Sequence, residues 1–169
     1  MKQLLLLRHA KSSWDDPDLD DFERPLAERG LKAAKLMGRE LAARDWLPDQ
    51  VLVSPALRTH DTWRLIAAEL PAHPPVVFAD ALYDASAADI LSQIRKAEPS
   101  SGCLAVLGHN PGLEDLAKQL AGPDSDAKAR KRIEEKFPTS ALARFVFDGD
   151  WSGLSSGRLT HCLRPKDLS

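Results

Sequence analysis

At 169 residues, 43% hydrophobic and 28% charged, the chain has the make-up of one globular domain, spanning 1–169, with a sizeable core. A net charge of −2 argues against a nucleic-acid or membrane-surface binder. No apolar run approaches the ~20 residues that cross a bilayer, so no membrane partner is expected.

The opening Met1-Lys2-Gln3 and four leucines are too short for a signal-peptide core. They run into Arg8-His9 with no small-residue cleavage site, so a cytoplasmic location is expected. Cys103 and Cys162 have no CxxC spacing and read as buried reduced thiols. Histidines 9, 60, 73, 109 and 161 show no HxH or HxxxH spacing, so no metal site and no cofactor are expected.

Leu4-Leu5-Leu6-Leu7 has no polar break and suits a strand covered on both faces, as in a parallel sheet. It stops at Arg8-His9, and strand ends are where α/β proteins place ligands. Residues 12–25 form an acidic loop with two prolines, too polar to bury. Its Trp14 reads either as a substrate platform or as a packing anchor for the loop, whereas Trp46, Trp63 and Trp151 read as structural.

A helix is predicted from about Glu28 to Arg44, with Ala33, Ala34, Met37, Leu41 and Ala42 at helical spacing. Gly30 and Gly38 weaken it unless close packing requires them. Val51-Leu52-Val53 is a second strand, ending at Ser54-Pro55. A helix follows from about Leu57 to Leu70, then a third short strand, Val76-Val77-Phe78. The loop 79–85 tucks in Leu82 and Tyr83, and a helix runs over Ala87–Ala97. Cys103 to Leu107 is the fourth strand, ending at Gly108-His109-Asn110-Pro111, where Pro111 suits the first turn of a helix running to about Leu120. Residues 124–136 are highly charged and read as a short surface helix or a mobile excursion. Ala141–Phe147 and Arg158–Leu163 are two late strands, and the tail from Arg164 reads as frayed.

Strand-helix alternation predicts a three-layer α/β/α sandwich with a mainly parallel central sheet. Right-handed crossovers then put the ends of strands one, two and four on one edge. Arg8-His9, Ser54-Pro55 with Arg58, and Gly108-His109 would meet there. Two arginines and two histidines suit phosphoryl transfer. Guanidinium forks match phosphate oxygens and stay charged, fixed cations stabilise the transition state, and an imidazole can attack phosphorus. Each residue alone has a plainer reading as a structural or surface side chain. The alternative class is a phosphate-binding module without catalysis, which needs no nucleophile.

These residues also carry a family resemblance. Arg8-His9-Ala10-Lys11-Ser12 resembles the RHG-type motif of the histidine phosphatase superfamily, with Ala10 where glycine is commoner. Arg24-Pro25-Leu26-Ala27-Glu28-Arg29-Gly30 is similar to its RPLTERG segment. Ser54-Pro55-Ala56-Leu57-Arg58-Thr59 with Thr62 is similar to S-P-x-x-R-T-x-x-T. Gly108-His109-Asn110-Pro111 resembles the second histidine motif, and Phe137-Pro138-Thr139-Ser140-Ala141 a late segment of SixA-like members.

The resemblance implies a phosphoglycerate mutase-like fold. It makes His9 the phosphorylated nucleophile, with Arg8, Arg58 and His109 binding the phosphoryl group and Ser12 and Asn110 lining the pocket. Short length without an inserted cap implies the SixA-like branch, associated with protein phosphohistidine. A phosphorylated protein is then the expected substrate, and a small phosphomonoester the alternative. The chain departs from the pattern where many members place a Glu or Asp general acid, after the third strand. The candidates are Asp84 there and Asp21 in the acidic loop, where the plainer reading of Asp21 is a surface carboxylate, or one that orients Arg8 or Arg24. An imidazole leaving group needs less help from an acid than an alkoxide does, so the missing acid fits a P–N substrate.

Overall fold

The structure, a computed structural model, describes residues 1–168. Six strands form one sheet in the order β3-β2-β4-β1-β5-β6. They are β1 (Lys2–Arg8), β2 (Gln50–Val53), β3 (Val76–Phe78), β4 (Cys103–Gly108), β5 (Leu142–Phe147) and β6 (Arg158–Leu163). The four strands β1 to β4 pair in parallel, and β5 joins β1 antiparallel.

The leucine run sits at the centre of this sheet and is wholly buried from Leu4 to Leu7. Alternation sends Leu4 and Leu6 to one face and Leu5 and Leu7 to the other. Helices α1 (Glu28–Ala43) and α2 (Leu57–Ala67) cover Leu5 and Leu7 with Met37, Leu41, Trp63 and Ile66. Helices α3 (Ala87–Ile94), α4 (Gly112–Leu120) and α5 (Ala127–Glu135) cover Leu4 and Leu6 with Ile90, Ile94, Leu113, Leu116 and Ile133. The expected three-layer α/β/α arrangement is therefore what forms.

The sheet order also creates a switch point. The connection leaving β1 passes over β4 to β2, while the chain leaving β4 passes over β1 to β5. Adjacent strands whose connections diverge leave a crevice at their carboxyl ends, the favoured ligand position of open α/β sheets. Arg8 pairs with Gly108 in the β1–β4 register, and the His9 amide donates to the Gly108 carbonyl at 3.1 Å. The two histidines thus flank one crevice.

The two α1 glycines are explained by close approach. A Cβ on Gly30 would lie 2.2 Å from the Lys11 carbonyl oxygen, and one on Gly38 would lie 2.9 Å from that of Ile66. Gly30 lets α1 press on the segment just after His9.

One expectation needs revision, and one open alternative is decided. The tail is not frayed through residue 168, and Ser169 lies outside the described residues. Pro165–Asp167 forms a 3-10 turn in which the Asp167 carboxylate accepts Arg164 Nε at 2.9 Å and Nη2 at 3.0 Å, and pairs with Arg132 at 3.5 Å. Residues 127–135 settle as a helix rather than a mobile excursion. Asp126 Oδ2 accepts the Ala129 amide at 2.9 Å, and Ala129 and Ile133 enter the core. The third strand is present but lies on the sheet edge, with Val77 and Phe78 about half exposed.

Gly30→Ala should lower unfolding stability by about 1–3 kcal/mol, because the new methyl group meets backbone that cannot rotate away. Urea denaturation checks this; a midpoint matching the wild type would show that the helix and the loop are not in the contact described.

Candidate active site

At the carboxyl end of the sheet lies a cleft of about 460 Å³. Arg8, His9, Ser12, Asp21, Arg58, Asp84, His109 and Asn110 all line it. The eight candidate catalytic and substrate-binding residues are therefore all on its wall.

His9 extends the end of β1 and is buried. Its Nδ1 lies 2.7 Å from the Ala10 carbonyl oxygen. A carbonyl only accepts, so Nδ1 carries the proton and Nε2 keeps its lone pair. Burial, then the charges of Arg58, Arg8 and Arg24, hold its pKa down to about 4, against the opposing effect of the Ala10 bond. Neutral, with a free Nε2, is the form in which an imidazole attacks phosphorus.

His109, at the end of β4, lies beside it with ring centroids 5.3 Å apart. Arg58 Nη2 donates to its Nδ1 at 3.3 Å, so the proton sits on Nε2 and is given to Ser54 Oγ at 2.7 Å. Burial, His9 and Arg58 push its pKa down to about 3. The Tyr83 ring closes the far side, edge-on at 5.6 Å.

The motif spacings now have physical reasons. In the segment 54–62, Ser54 takes the His109 proton, and Arg58 in the first turn of α2 reaches into the cleft. Thr59 Oγ1 donates to the Ser54 and Ala56 carbonyls, both at 2.7 Å. Thr62 Oγ1 accepts the Ala10 amide at 2.9 Å, tying α2 to the residue after His9. The 24–30 segment clasps the 11–13 segment: the Ser13 amide donates to Pro25, that of Ala27 to Lys11, and Ser12 bridges Leu26. In the 137–141 segment, the Ser140 amide donates to the His9 carbonyl and the Arg8 amide to that of Ala141. The Phe137 carbonyl accepts Arg8 Nη1 at 3.3 Å and Asn110 Nδ2 at 2.8 Å. Asn110 therefore braces this turn as well as lining the cleft, and Glu114 Oε1 holds the same turn through the Phe137 amide at 2.8 Å.

Asp21 has a clear role in this geometry. Its carboxylate accepts Arg58 Nη2 at 3.0 Å and the Tyr83 hydroxyl at 2.6 Å, and lies 3.3 Å from Arg24 Nε. The Tyr83 bond, then Arg58 and Arg24, hold Asp21 below the usual carboxylate range. It orients Arg58 and Arg24 rather than Arg8. Asp84, at φ 54°, lines the cleft without a side-chain bond among the described residues.

Arg24, in the RPLTERG-like segment, is a further residue of the cleft. Its guanidinium is buried against the cleft, with Nη1 lacking a partner. The signal was an arginine between an acidic loop and a helix start. Tyr83 gave no such signal, being 62 residues from Asp21. Arg8, Arg24 and Arg58 together make a desolvated cationic cleft suited to a phosphoryl group.

A family model described as histidine phosphatase superfamily (branch 1) matches residues 4–106. An uncharacterized protein of Mycobacterium tuberculosis, Rv1276c, is 36% identical over 152 residues, 89% of this chain and 93% of that protein. A chloroplastic uncharacterized protein of Arabidopsis thaliana, At3g52155, is 34% identical, covering 88% and 72%. Among solved structures, a chain from Agrobacterium tumefaciens assigned as the phosphohistidine phosphatase SixA superimposes with TM-score 0.83 at 30% identity, covering 97% of this chain and 98% of that one. The protein histidine phosphatase SixA complexed with tungstate shares the fold, with TM-score 0.80, 21% identity and 98% of each chain covered.

Both imidazoles should stay neutral to about pH 5, and ¹⁵N NMR should find His9 as the Nδ1–H tautomer and His109 as Nε2–H. Above the ordinary value of 6.5 the pair is neutral in both folded and unfolded chains. As pH falls from 6.5 toward 4, the unfolded chain takes up protons the folded site refuses, so stability drops. The drop between pH 7 and pH 5 should be smaller in a His9→Asn, His109→Asn double variant; an equal drop would place both rings in contact with solvent.

Proposed function

The chain belongs to the histidine phosphatase superfamily, and on that premise we propose a phosphatase that works through phosphohistidine at His9, with protein phosphohistidine as substrate. The observation that carries the reading is the His9 Nδ1–H bond to the Ala10 carbonyl, which leaves Nε2 free inside an arginine-lined cleft. Nε2 attacks phosphorus as the bond to the departing group breaks. Arg8, Arg24 and Arg58 are positioned to take the charge on the phosphoryl oxygens, with Arg58 also placed against His109.

The same Ala10 bond serves the second step. With Nδ1–H retained, phospho-His9 is an imidazolium, and it leaves phosphorus as a neutral ring when water attacks. Phosphate departs with the atoms of that water, and His9 returns to its starting form.

The P–N substrate is favoured by the state of Asp21. Held ionised by Tyr83 and two arginines, it is poorly placed to give up a proton. A phosphohistidine protonated on its far ring nitrogen departs as neutral imidazole and needs no proton on the breaking bond. A phosphate ester does need one, and Asp84 is the carboxylate on the wall that would serve an ester reading.

The test is acid-labile, alkali-stable labelling of the protein by phosphoramidate, its loss in His9→Ala, and faster turnover of a phosphohistidine peptide than of p-nitrophenyl phosphate. A strong preference for the ester, reduced by Asp84→Asn, would overturn the substrate assignment; turnover retained by His9→Ala would overturn the covalent mechanism. Arg58→Ala should weaken phosphate binding by about 1.5–3 kcal/mol, as expected on losing a charge-assisted hydrogen bond. Calorimetry with inorganic phosphate checks this, and unchanged affinity would remove Arg58 from the site.

A further inference from the structure

The outer rim of the cleft has the opposite charge to its floor. Arg8, Arg24 and Arg58 line the inside, whereas Asp15, Asp16, Asp18, Asp20 and Glu23 stand exposed on the loop beside it. None of these five forms an ion pair among the described residues; the loop's one paired carboxylate, Asp21, is turned inward. Lys11 is the exposed cation on the same wall.

Trp14 is part of this rim. It is 74% exposed, whereas Trp46, Trp63 and Trp151 are 8%, 5% and 1% exposed. A large aromatic ring left in water beside a charged cleft calls for a reason. One indole face is taken by the Arg24 guanidinium, 3.4 Å from the ring centroid. The backbone is fixed on either side of it. The Ser13 amide donates to Pro25 at 2.8 Å and the Asp15 amide to Ser13 Oγ at 3.1 Å. The other face is open, and its position is set before any ligand arrives.

A separate observation points to a ligand. Arg24 is 6% exposed, lines the cleft, and leaves Nη1 without a partner. A buried guanidinium donor unsatisfied in this way marks where an anion belongs. The complementary ligand is thus an anion with cations around it. A small phosphorylated metabolite carries the anion alone and meets five uncompensated carboxylates on approach.

We propose that the 14–23 loop is a docking rim for a basic protein segment, in which a lysine or arginine beside the phosphorylated histidine lies on the open face of Trp14 among the loop carboxylates. The cation gains from the indole face and from the acidic field at once. The inference rests on the phosphohistidine reading above and adds the charge of the sequence around that histidine.

Three phosphohistidine peptides, alike except for Lys, Gln or Glu on either side of the phosphorylated residue, test it with the full chain. The Lys peptide should exceed the Gln peptide in kcat/KM by about tenfold, the size of two or three exposed charge pairs acting together. The ratio should shrink in 0.5 M salt and approach one in an Asp15→Asn, Asp16→Asn, Asp18→Asn, Asp20→Asn variant. Lys-peptide binding to His9→Ala should shift tryptophan emission to the blue, because Trp14 is the exposed indole, and this shift should vanish in Trp14→Ala. Equal turnover of all three peptides overturns the docking rim and leaves the phosphohistidine reading standing. So does a Lys preference indifferent to salt and to the four substitutions. No turnover of any peptide, beside turnover of p-nitrophenyl phosphate, overturns both.

Discussion

Three guanidiniums gathered at the floor of one cleft, with a single carboxylate, that of Asp21, bonded among them, is the condition to which the rest of this molecule answers. Arg24 and Arg58 are buried and Arg8 is half-buried, and Arg58 repels both of the others. What tolerates them is a set of oriented acceptors from distant parts of the chain: the Asp21 carboxylate, the Phe137 carbonyl and His109 Nδ1. Those acceptors fall short of the available donors, and buried nitrogens of all three arginines lack partners. The deficit is one that the oxygens of the phosphoryl group proposed above would fill. Burial first, and then the same field, lowers the pKa of both histidines, so the setting that suits an anion also keeps the imidazoles neutral.

The positions of those groups depend on backbone more than on side chains. His9 is fixed through its amide to Gly108, its carbonyl to Ser140, and its ring to Ala10. Thr62 holds Ala10 from α2, and the Lys11 carbonyl is pressed by Gly30 of α1. The sheet, two helices of one layer and the turn at Ser140 thus converge on residues 9–11. A side chain braced this way loses little freedom when substrate arrives, which is how a small open cleft can be selective without an enclosing cap.

Much of this was legible in the sequence, because strong local signals happen to mark the site. A four-leucine strand ending on Arg-His, a helix opened by Arg58, and a second strand ending on Gly-His each announce themselves within a few residues. Parallel topology then forces them to one edge. What could not be read were pairings across long separations. Tyr83 with Asp21, Glu114 with Phe137, and Asp49 with Ser101 involve residue types that are ordinary surface side chains elsewhere. Arg24 is the intermediate case: its motif was visible, but its burial depends on Trp14 and Asp21 folding over it. The tail misled because polar composition suggested fraying, whereas an Arg164–Asp167–Arg132 cluster secures it. The helix over 127–135 has too few apolar residues to stand out, and only Ala129 and Ile133 reach the core.

The central position of β1 has a bearing on how the protein is made. Its hydrogen-bonding neighbours are β4 and β5, which begin at Cys103 and Leu142. During synthesis the four-leucine strand is therefore made well before either of its two neighbours. Until then Leu4 to Leu7 is an unpaired, uncharged β-segment in a growing chain, held in check by the flanking Lys2 and by Arg8. Since β1 also delivers His9, and β4 delivers His109, the cleft cannot assemble until the strands on both sides of β1 have been made.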